Sequence, residues 1–250
     1  MNVLIIQARM GSTRLPGKVL KKIKGHSLLE IQHMRIKPSK LVDEILIATT
    51  TNPEDDAIEL FCKEANIKYY RGSDWDVLDR YYQAAKKFNP TNVIRITSDC
   101  PLHHHSVIDF VMAQYLKSGK DYFSNSNHEP DYLEDGFDVE VFSFKALEIA
   151  WTEAKLLSER EHVTPYIKNS GKFSCSWKKF NQNYHYKLSV DSENDFKAVE
   201  TIFNSFSTVT DFGMNEILDL LKYNPEILEL NKDSIINSGY IKSIQNDKKI

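Results

Sequence analysis

Three cations, two hydroxyls and two glycines fall within ten residues in Arg9-Met10-Gly11-Ser12-Thr13-Arg14-Leu15-Pro16-Gly17-Lys18. Gly11 and Gly17 let backbone amides come close to an anion, and Ser12 and Thr13 add neutral donors. Arg9 and Arg14 can grip phosphate oxygens in pairs, while Lys18 supplies a compact point charge. The chemistry is that of a polyphosphate cradle. It is not a Walker loop, which has four residues between its glycines and a hydroxyl after the lysine: five separate Gly11 from Gly17, and Val19 follows Lys18. A dinucleotide G-x-G-x-x-G is also missing from this stretch.

Two carboxylates complete the chemistry. Asp99 follows the apolar run Val93-Ile94-Arg95-Ile96-Thr97, and Asp191 follows Tyr186 to Val190. If both runs are strands of one parallel sheet, both acids reach the edge that carries the cationic loop. Two carboxylates beside a polyphosphate make a Mg²⁺ site, since that ion takes one or two carboxylates together with water and phosphate oxygens. The competing reading is that each aspartate caps the segment after it, and Asp191-Ser192-Glu193-Asn194-Asp195 is a good capping sequence. His103-His104-His105 is assigned no zinc, because consecutive side chains do not converge on one ion.

The elements that must position these groups alternate. Val3-Leu4-Ile5-Ile6 reads as a strand buried on both faces, so the loop leaves the carboxyl edge of a sheet, where open α/β sheets bind ligands. Ser27 caps a helix to about Lys37, Glu44 to Thr49 is a second strand, and Asn52-Pro53-Glu54 starts a helix with Ala57, Leu60 and Phe61 inward. Ile67 to Tyr70, Val93 to Thr97, Tyr122-Phe123, Val139 to Phe142, Phe173 to Trp177 and Tyr186 to Val190 read as further strands. Helices are expected from about Trp75 to Phe88, from Ser106 to Leu116, from Phe144 to Lys155, from a Ser158 cap, from Ser192 to Phe206 and from Met214 to Leu221. Asn125 to Phe137 reads as a loop over the site. The β-α-β rhythm predicts an α/β fold with a mostly parallel central sheet flanked by helices.

Composition narrows the partners. A net charge of −3, with 27% charged and 41% hydrophobic residues, is ordinary for a globular chain and points to no nucleic acid or membrane. The three cysteines are scattered and form no C-x-x-C pair, as expected of a reducing, cytoplasmic setting. No apolar run approaches a membrane span, and no leader is read at the N-terminus. Residues 1–207 are read as one domain and 208–250 as a small appendage packed on it.

Gln7-Ala8-Arg9-Met10-Gly11-Ser12-Thr13-Arg14-Leu15-Pro16-Gly17-Lys18 resembles the signature loop of cytidylyltransferases related to spore-coat polysaccharide biosynthesis proteins, which are similar to CMP-sugar-acid synthetases, including the 3-deoxy-manno-octulosonate and sialate enzymes. Ser98-Asp99-Cys100-Pro101-Leu102 is similar to their G-D-C-P-L block, with Ser98 in place of glycine, and Val190-Asp191-Ser192 to the V-D-T helix start that supplies a second metal ligand. Arg71-Gly72-Ser73 to Arg80 resembles the block that the related synthetases place against cytosine and ribose. Its alternative is a turn and a helix in which Asp76 and Arg80 pair.

The resemblance implies a Rossmann-like nucleotidyltransferase fold of the glycosyltransferase-A type. It implies nucleotide contacts from Ala8, Arg9, Gly11, Ser12, Arg14, Lys18, Gly72, Ser73, Arg80 and Asp99. Arg14, Lys18, Asp99 and Asp191 would be catalytic, with Asp99 and Asp191 holding Mg²⁺. Glu140 and His162, in blocks similar to the family's, would face the acceptor, and the histidine triplet would bear on acceptor choice. The implied activity is transfer of CMP from CTP to a sugar acid with release of pyrophosphate, giving an activated CMP-sugar for a cell-surface polysaccharide. A phosphorylated sugar, polyol or phosphonate is the alternative acceptor, and a non-catalytic nucleotide-binding protein the alternative from another class. The related synthetases are dimers. Phe142, Phe144, Leu147, Ile149 and Trp151 exceed what one strand and one helix need for a core face, as a homodimer surface would.

Overall fold

Val3, Leu4, Ile5 and Ile6 have no exposed surface, and their alternation divides the core in two. Leu4 and Ile6 join one apolar cluster and Val3 and Ile5 the other, because successive side chains leave a strand on opposite faces. The computed structural model describes residues 1–126, 135–178, 186–236, 238–245 and 247–250. Its strands are β1 (Asn2–Gln7), β2 (Lys22–Ile23), β3 (His26–Ser27), β4 (Glu44–Thr50), β5 (Lys68–Gly72), β6 (Asn92–Thr97), β7 (Tyr122–Ser124), β8 (Glu140–Ser143) and β9 (Cys175–Trp177). Seven form one sheet in the order β5-β4-β1-β6-β8-β7-β9, and β2 and β3 make a separate hairpin.

Half of that sheet is parallel throughout: β1 pairs with β4 and β6, and β4 with β5. Then β8 runs antiparallel to both β6 and β7, while β9 lies parallel to β7. The carboxyl ends of β1 and β6 therefore sit side by side, tied by the Ser98 amide donating to Gln7 O at 3.1 Å.

The helices are α1 (Leu28–Ile36), α2 (Asp56–Glu64), α3 (Val77–Lys86), α4 (His105–Ser118), α5 (Phe144–Glu153), α6 (Leu157–His162), α7 (Pro165–Asn169), α8 (Glu193–Asn204), α9 (Met214–Tyr223), α10 (Glu226–Glu229) and α11 (Ser238–Gln245). Residues from α1, α4, α8 and α9 cover one face of the sheet, and residues from α3 and α5 the other. Ser27 caps α1 with Glu30 in a reciprocal pair, and Ser192 does the same for α8 with Asp195.

Several expectations are corrected. In α2 the buried residues are Ile58 and Cys62, with Ala57 and Leu60 exposed. The turn Pro53–Asp55 is a 3-10 helix, which rotates the α-helix that follows. Ser158 lies inside α6 rather than capping it, and its hydroxyl donates to Asp247. Residues 186–190 form no strand, only an isolated bridge from Asp135 to Lys187. Phe142 and Leu147 are fully buried, and Phe144 and Trp151 stack on Tyr82 at 5.8 and 4.2 Å. These four side chains belong to the core on the side of α3 and α5, while Ile149 belongs to neither apolar cluster. The expected loop 125–137 falls partly outside the described residues, at 127–134.

Residues after 207 continue the same core. Val209, Phe212, Ile217 and Leu221 belong to the first cluster, and buried Arg35 donates to Val209 O at 2.7 Å and Phe212 O at 3.0 Å. Among the described residues no helix is long and apolar enough to cross a membrane.

Candidate active site

The cationic loop is held from beneath by Asp55. Its carboxylate has no exposed surface, accepts the Met10 amide at 2.6 Å and takes the Thr50 hydroxyl. Met10 O then accepts the amides of Ser12 and Gly17 at 2.8 and 2.9 Å, closing the loop on itself. Gly17 sits at φ +69°, in the left-handed region that a side chain strains. Asp55 escaped the sequence reading, in which an acid in a helix's first turn means only a favourable dipole.

Lys18 does not reach outward. Its side chain is 11% exposed, and Nζ donates to Val190 O at 2.6 Å, Asp191 Oδ1 at 3.0 Å and Asp99 Oδ2 at 3.4 Å. Lys187, also buried, approaches Asp191 Oδ2 at 3.1 Å, Asp195 Oδ2 at 3.5 Å and Asp135 Oδ2 at 3.9 Å. Arg14 adds a contact to Asp191 Oδ1 at 2.9 Å. Two like charges thus meet here because two lysines neutralise them. Burial favours the neutral Asp99 carboxyl most strongly of any single influence, but Lys18, the side chains of Thr97 and Cys100, and Lys187 together outweigh it and hold the group at about 2. Burial likewise works against both lysine charges, and the surrounding acids raise both ammonium groups. Lys187 was missed in the sequence, where it opens an apolar run; a lysine alternating with Leu188 and Val190 was the available signal.

The donor set suits Mg²⁺. Asp99 is 30% exposed at its side chain and accepts long contacts from Lys18, at 3.4 Å, and from Cys100 Sγ, at 3.5 Å, which leaves oxygen lone pairs for a hard cation. Among the described residues no group of three or more His, Cys, Asp or Glu forms a metal cage.

Ala8, Arg9, Ser12, Arg14, Lys18, Arg80, Asp99 and Asp191 line one cleft. Gly11, Gly72 and Ser73 do not line it. Arg80 is 2% exposed, donates through Nη1 to Ser73 O at 2.6 Å, and has a buried Nε with no protein partner. The expected pairing of Asp76 with Arg80 does not form: Asp76 caps α3 and takes the guanidinium of Arg160 through Nε, at 3.0 Å, and Nη2, at 2.5 Å.

A second cavity of about 220 Å³ adjoins the cleft, lined by Asp135, Asp138, Glu140, His162, Thr164 and Tyr240 among others. Glu140 is saturated there: Tyr122 and Thr164 hydroxyls donate at 2.6 and 2.7 Å, Lys168 lies at 3.5 Å, and Arg95 pairs with it. Burial opposes the charge, yet those cations and hydroxyls hold Glu140 well below the usual carboxylate range. His162 lines both spaces; its buried Nε2 makes no hydrogen bond among the described residues and lies 3.9 Å from Glu161 Oε2, and burial lowers its ring to about 4. Burial, then Asp135, raises Asp138 to about 7. Gly136 has φ +112°, and a Cβ there would meet the Leu188 backbone at 2.8 Å, so this close approach admits only glycine.

His103 lines neither space. It is fully buried, with Nε2 2.9 Å from Asp138 O and Nδ1 within 3.1 Å of Gln32 Nε2 and 2.9 Å of Cys100 O, and so braces the Asp99 turn against the Asp138 segment. His104 caps α4 on another surface.

Solved structures that share this sheet are nucleotidyltransferases, and that is the class to which the fold and its cleft belong. A cytidylyltransferase from Leptospira borgpetersenii superposes with a TM-score of 0.86 at 29% identity, over 94% of this chain and 98% of that one. A CMP:2-keto-3-deoxy-manno-octonic acid synthetase complexed with CTP shares the fold at a TM-score of 0.59 and 16% identity, over 82% of this chain and 98% of the other. By sequence, the spore coat polysaccharide biosynthesis protein SpsF of Bacillus subtilis is 30% identical over 90% of this chain and 95% of its own length. An uncharacterized protein of Methanocaldococcus jannaschii is 39% identical over 92% and 93%. The profile of the cytidylyltransferase family matches residues 3–233, and the chain belongs to that family.

Proposed function

We propose that the chain transfers CMP from CTP to a sugar acid, releasing pyrophosphate and giving an activated CMP-sugar for a cell-surface polysaccharide. The carrying observation is the joint between the two spaces: Arg14, Asp99, His162 and Asp191 line both the cationic cleft and the smaller cavity. A triphosphate in the first and an acceptor in the second would meet at these four side chains.

The chemistry asks for positioning and charge compensation. An acceptor oxygen attacks the α-phosphorus, a new P–O bond forms, the bond to the bridging oxygen breaks, and pyrophosphate leaves with that electron pair. Arg9 and Arg14 hold the β- and γ-phosphates. Arg80 Nε is a spare buried donor for the nucleoside end. Lys18 favours the ionised form of Asp99 and holds both carboxylates in place. Asp99 and Asp191 would hold Mg²⁺, which supplies charge stabilisation to phosphate oxygens when bound. His162, kept neutral by burial, can accept a proton at Nε2 from an acceptor hydroxyl.

A second reading, transfer to a polyol, is favoured by Asp135 and Asp138, whose carboxyls offer hydrogen-bond acceptors to hydroxyls in the same cavity. A cytoplasmic homodimer completes the proposal on the strength of the resemblance. The test is pyrophosphate release with Mg²⁺ and CTP, UTP or ATP across sugar acids, polyols and sugar phosphates. Turnover with CTP and one acceptor class is expected. Equal turnover with UTP, or none with any acceptor, overturns the reading.

A further inference from the structure

Helix α11 lies beyond residue 233, where the match to the family ends, yet it forms part of the cleft. Gly239, Lys242 and Ser243 face that space; their spacing, i, i+3 and i+4, is one face of a helix. Tyr240, beside that face, lines the adjoining cavity and meets the His162 ring edge-on at 5.0 Å. Ile241 and Ile244 point to solvent, 46% and 49% exposed, so the segment is not held by deep apolar burial. Polar bonds to α6 hold it instead. The Ser243 hydroxyl donates to Glu161 at 2.7 Å, Asp247 accepts the amide and hydroxyl of Ser158 at 3.0 and 2.6 Å, and Lys248 O accepts the Leu157 amide at 2.9 Å.

We propose that α11 is a wall of the nucleotide site and that Lys242 is a further triphosphate-binding residue. It supplies positive charge from a segment other than the loop that carries Arg9, Arg14 and Lys18. This rests on the nucleotide reading above. Of the loop's charges, Lys18 is committed to Asp99 and Asp191, and Arg14 contacts Asp191. Lys242 lines the cleft from a different wall at an exposed position, and its positive charge adds attraction for a polyanion there.

The test compares equilibrium affinities for CTP and CMP in Lys242→Ala, Lys242→Arg, Lys248→Ala and Arg14→Ala. Lys242 is exposed, so its removal should leave the fold intact. Lys242→Ala should weaken CTP roughly fivefold to tenfold and leave CMP unchanged, Lys242→Arg should restore CTP affinity, and Lys248→Ala, on the same segment, should have no effect. A merely structural role would weaken both nucleotides alike and overturns the proposal, as does an equal loss in Lys248→Ala. If Lys242→Ala binds CTP normally while Arg14→Ala does not, the α11 proposal fails and the nucleotide reading stands. If Arg14→Ala also binds CTP normally, the loop assignment itself fails, and the proposal with it.

Discussion

The amide of Val190 donates to the carbonyl of Asp99 at 2.7 Å, so one backbone bond ties together the two segments that carry the paired carboxylates. The Lys18 ammonium, donating to Val190 O and to both acids, closes the same junction with charge. Position and electrostatics are supplied by the same few atoms.

Removing that ammonium should therefore cost stability as well as binding. Lys18→Met is expected to lose on the order of 3 kcal/mol in urea unfolding, because two mostly buried carboxylates are left under-compensated. Adding Asp191→Asn should recover part of the stability and none of the CTP affinity. An unchanged unfolding midpoint in Lys18→Met would show that Lys187 and Arg14 suffice.

Asp99→Asn and Asp191→Asn should each yield a folded protein that has lost most Mg²⁺-dependent turnover. Acting through one ion, they should not add: the double substitution should be little worse than the worse single one. Losses that multiply, or near-normal turnover in Asp191→Asn, return Asp191 to a purely structural place beside Lys187.

The pair Asp76–Arg160 ties the site wall α6 to α3, and Arg160 also donates to Trp151 O at 2.6 Å. Both side chains are 10% exposed. Arg160→Ala is expected to destabilise the fold by about 3 kcal/mol, more than Arg160→Ala together with Asp76→Asn, since the lone substitution leaves a buried charge unpaired. Thermal or urea unfolding of the set checks the order.

His103 makes stability depend on pH in a defined direction. Burial holds the folded ring at about 4 against an ordinary 6.5, so the unfolded chain binds the extra proton. Its contribution is fully present above pH 6.5 and falls as pH drops toward 4, by about 2 kcal/mol between pH 7 and pH 5. Asp138, raised to about 7 by burial and by Asp135, has the opposite sign in the same window. The readout is therefore a difference: unfolding free energy should decline less steeply from pH 7 to pH 5 in His103→Gln than in the parent. Parallel slopes would contradict the burial argument.

What the sequence made legible was local. The Ser27–Glu30 and Ser192–Asp195 caps lie three residues apart, and the apolar runs of β1, β4 and β6 mark buried strands without reference to anything distant. The cationic loop and Asp99 were found because each follows such a run; Asp191 was found after an apolar run, residues 186–190, that forms no strand. Asp55 under Met10 and Lys187 under Asp191 were missed for one physical reason: a buried charged side chain leaves no periodic trace, and each looks like an ordinary surface charge until the fold supplies its partners. Glu140 was singled out in the sequence, but its partners Arg95, Thr164 and Lys168 were not, since they come from β6, the α6–α7 turn and α7. On α2 the inward position of Phe61 was legible, but Ala57 and Leu60 read as its inward neighbours in place of Ile58 and Cys62, because both sets are apolar at helical spacing.

The parallel order of the sheet has a consequence for how the protein is made. Lys18 and Asp191 stand 173 residues apart, so at roughly 5–20 residues per second a ribosome takes on the order of 10–30 s to deliver the second after the first. During that interval the loop, β1, β4 and β6 have all been made, but the acid that completes the Lys18 junction has not. The nascent chain carries its cationic loop exposed to the cell's polyanions before its own carboxylates arrive to occupy it.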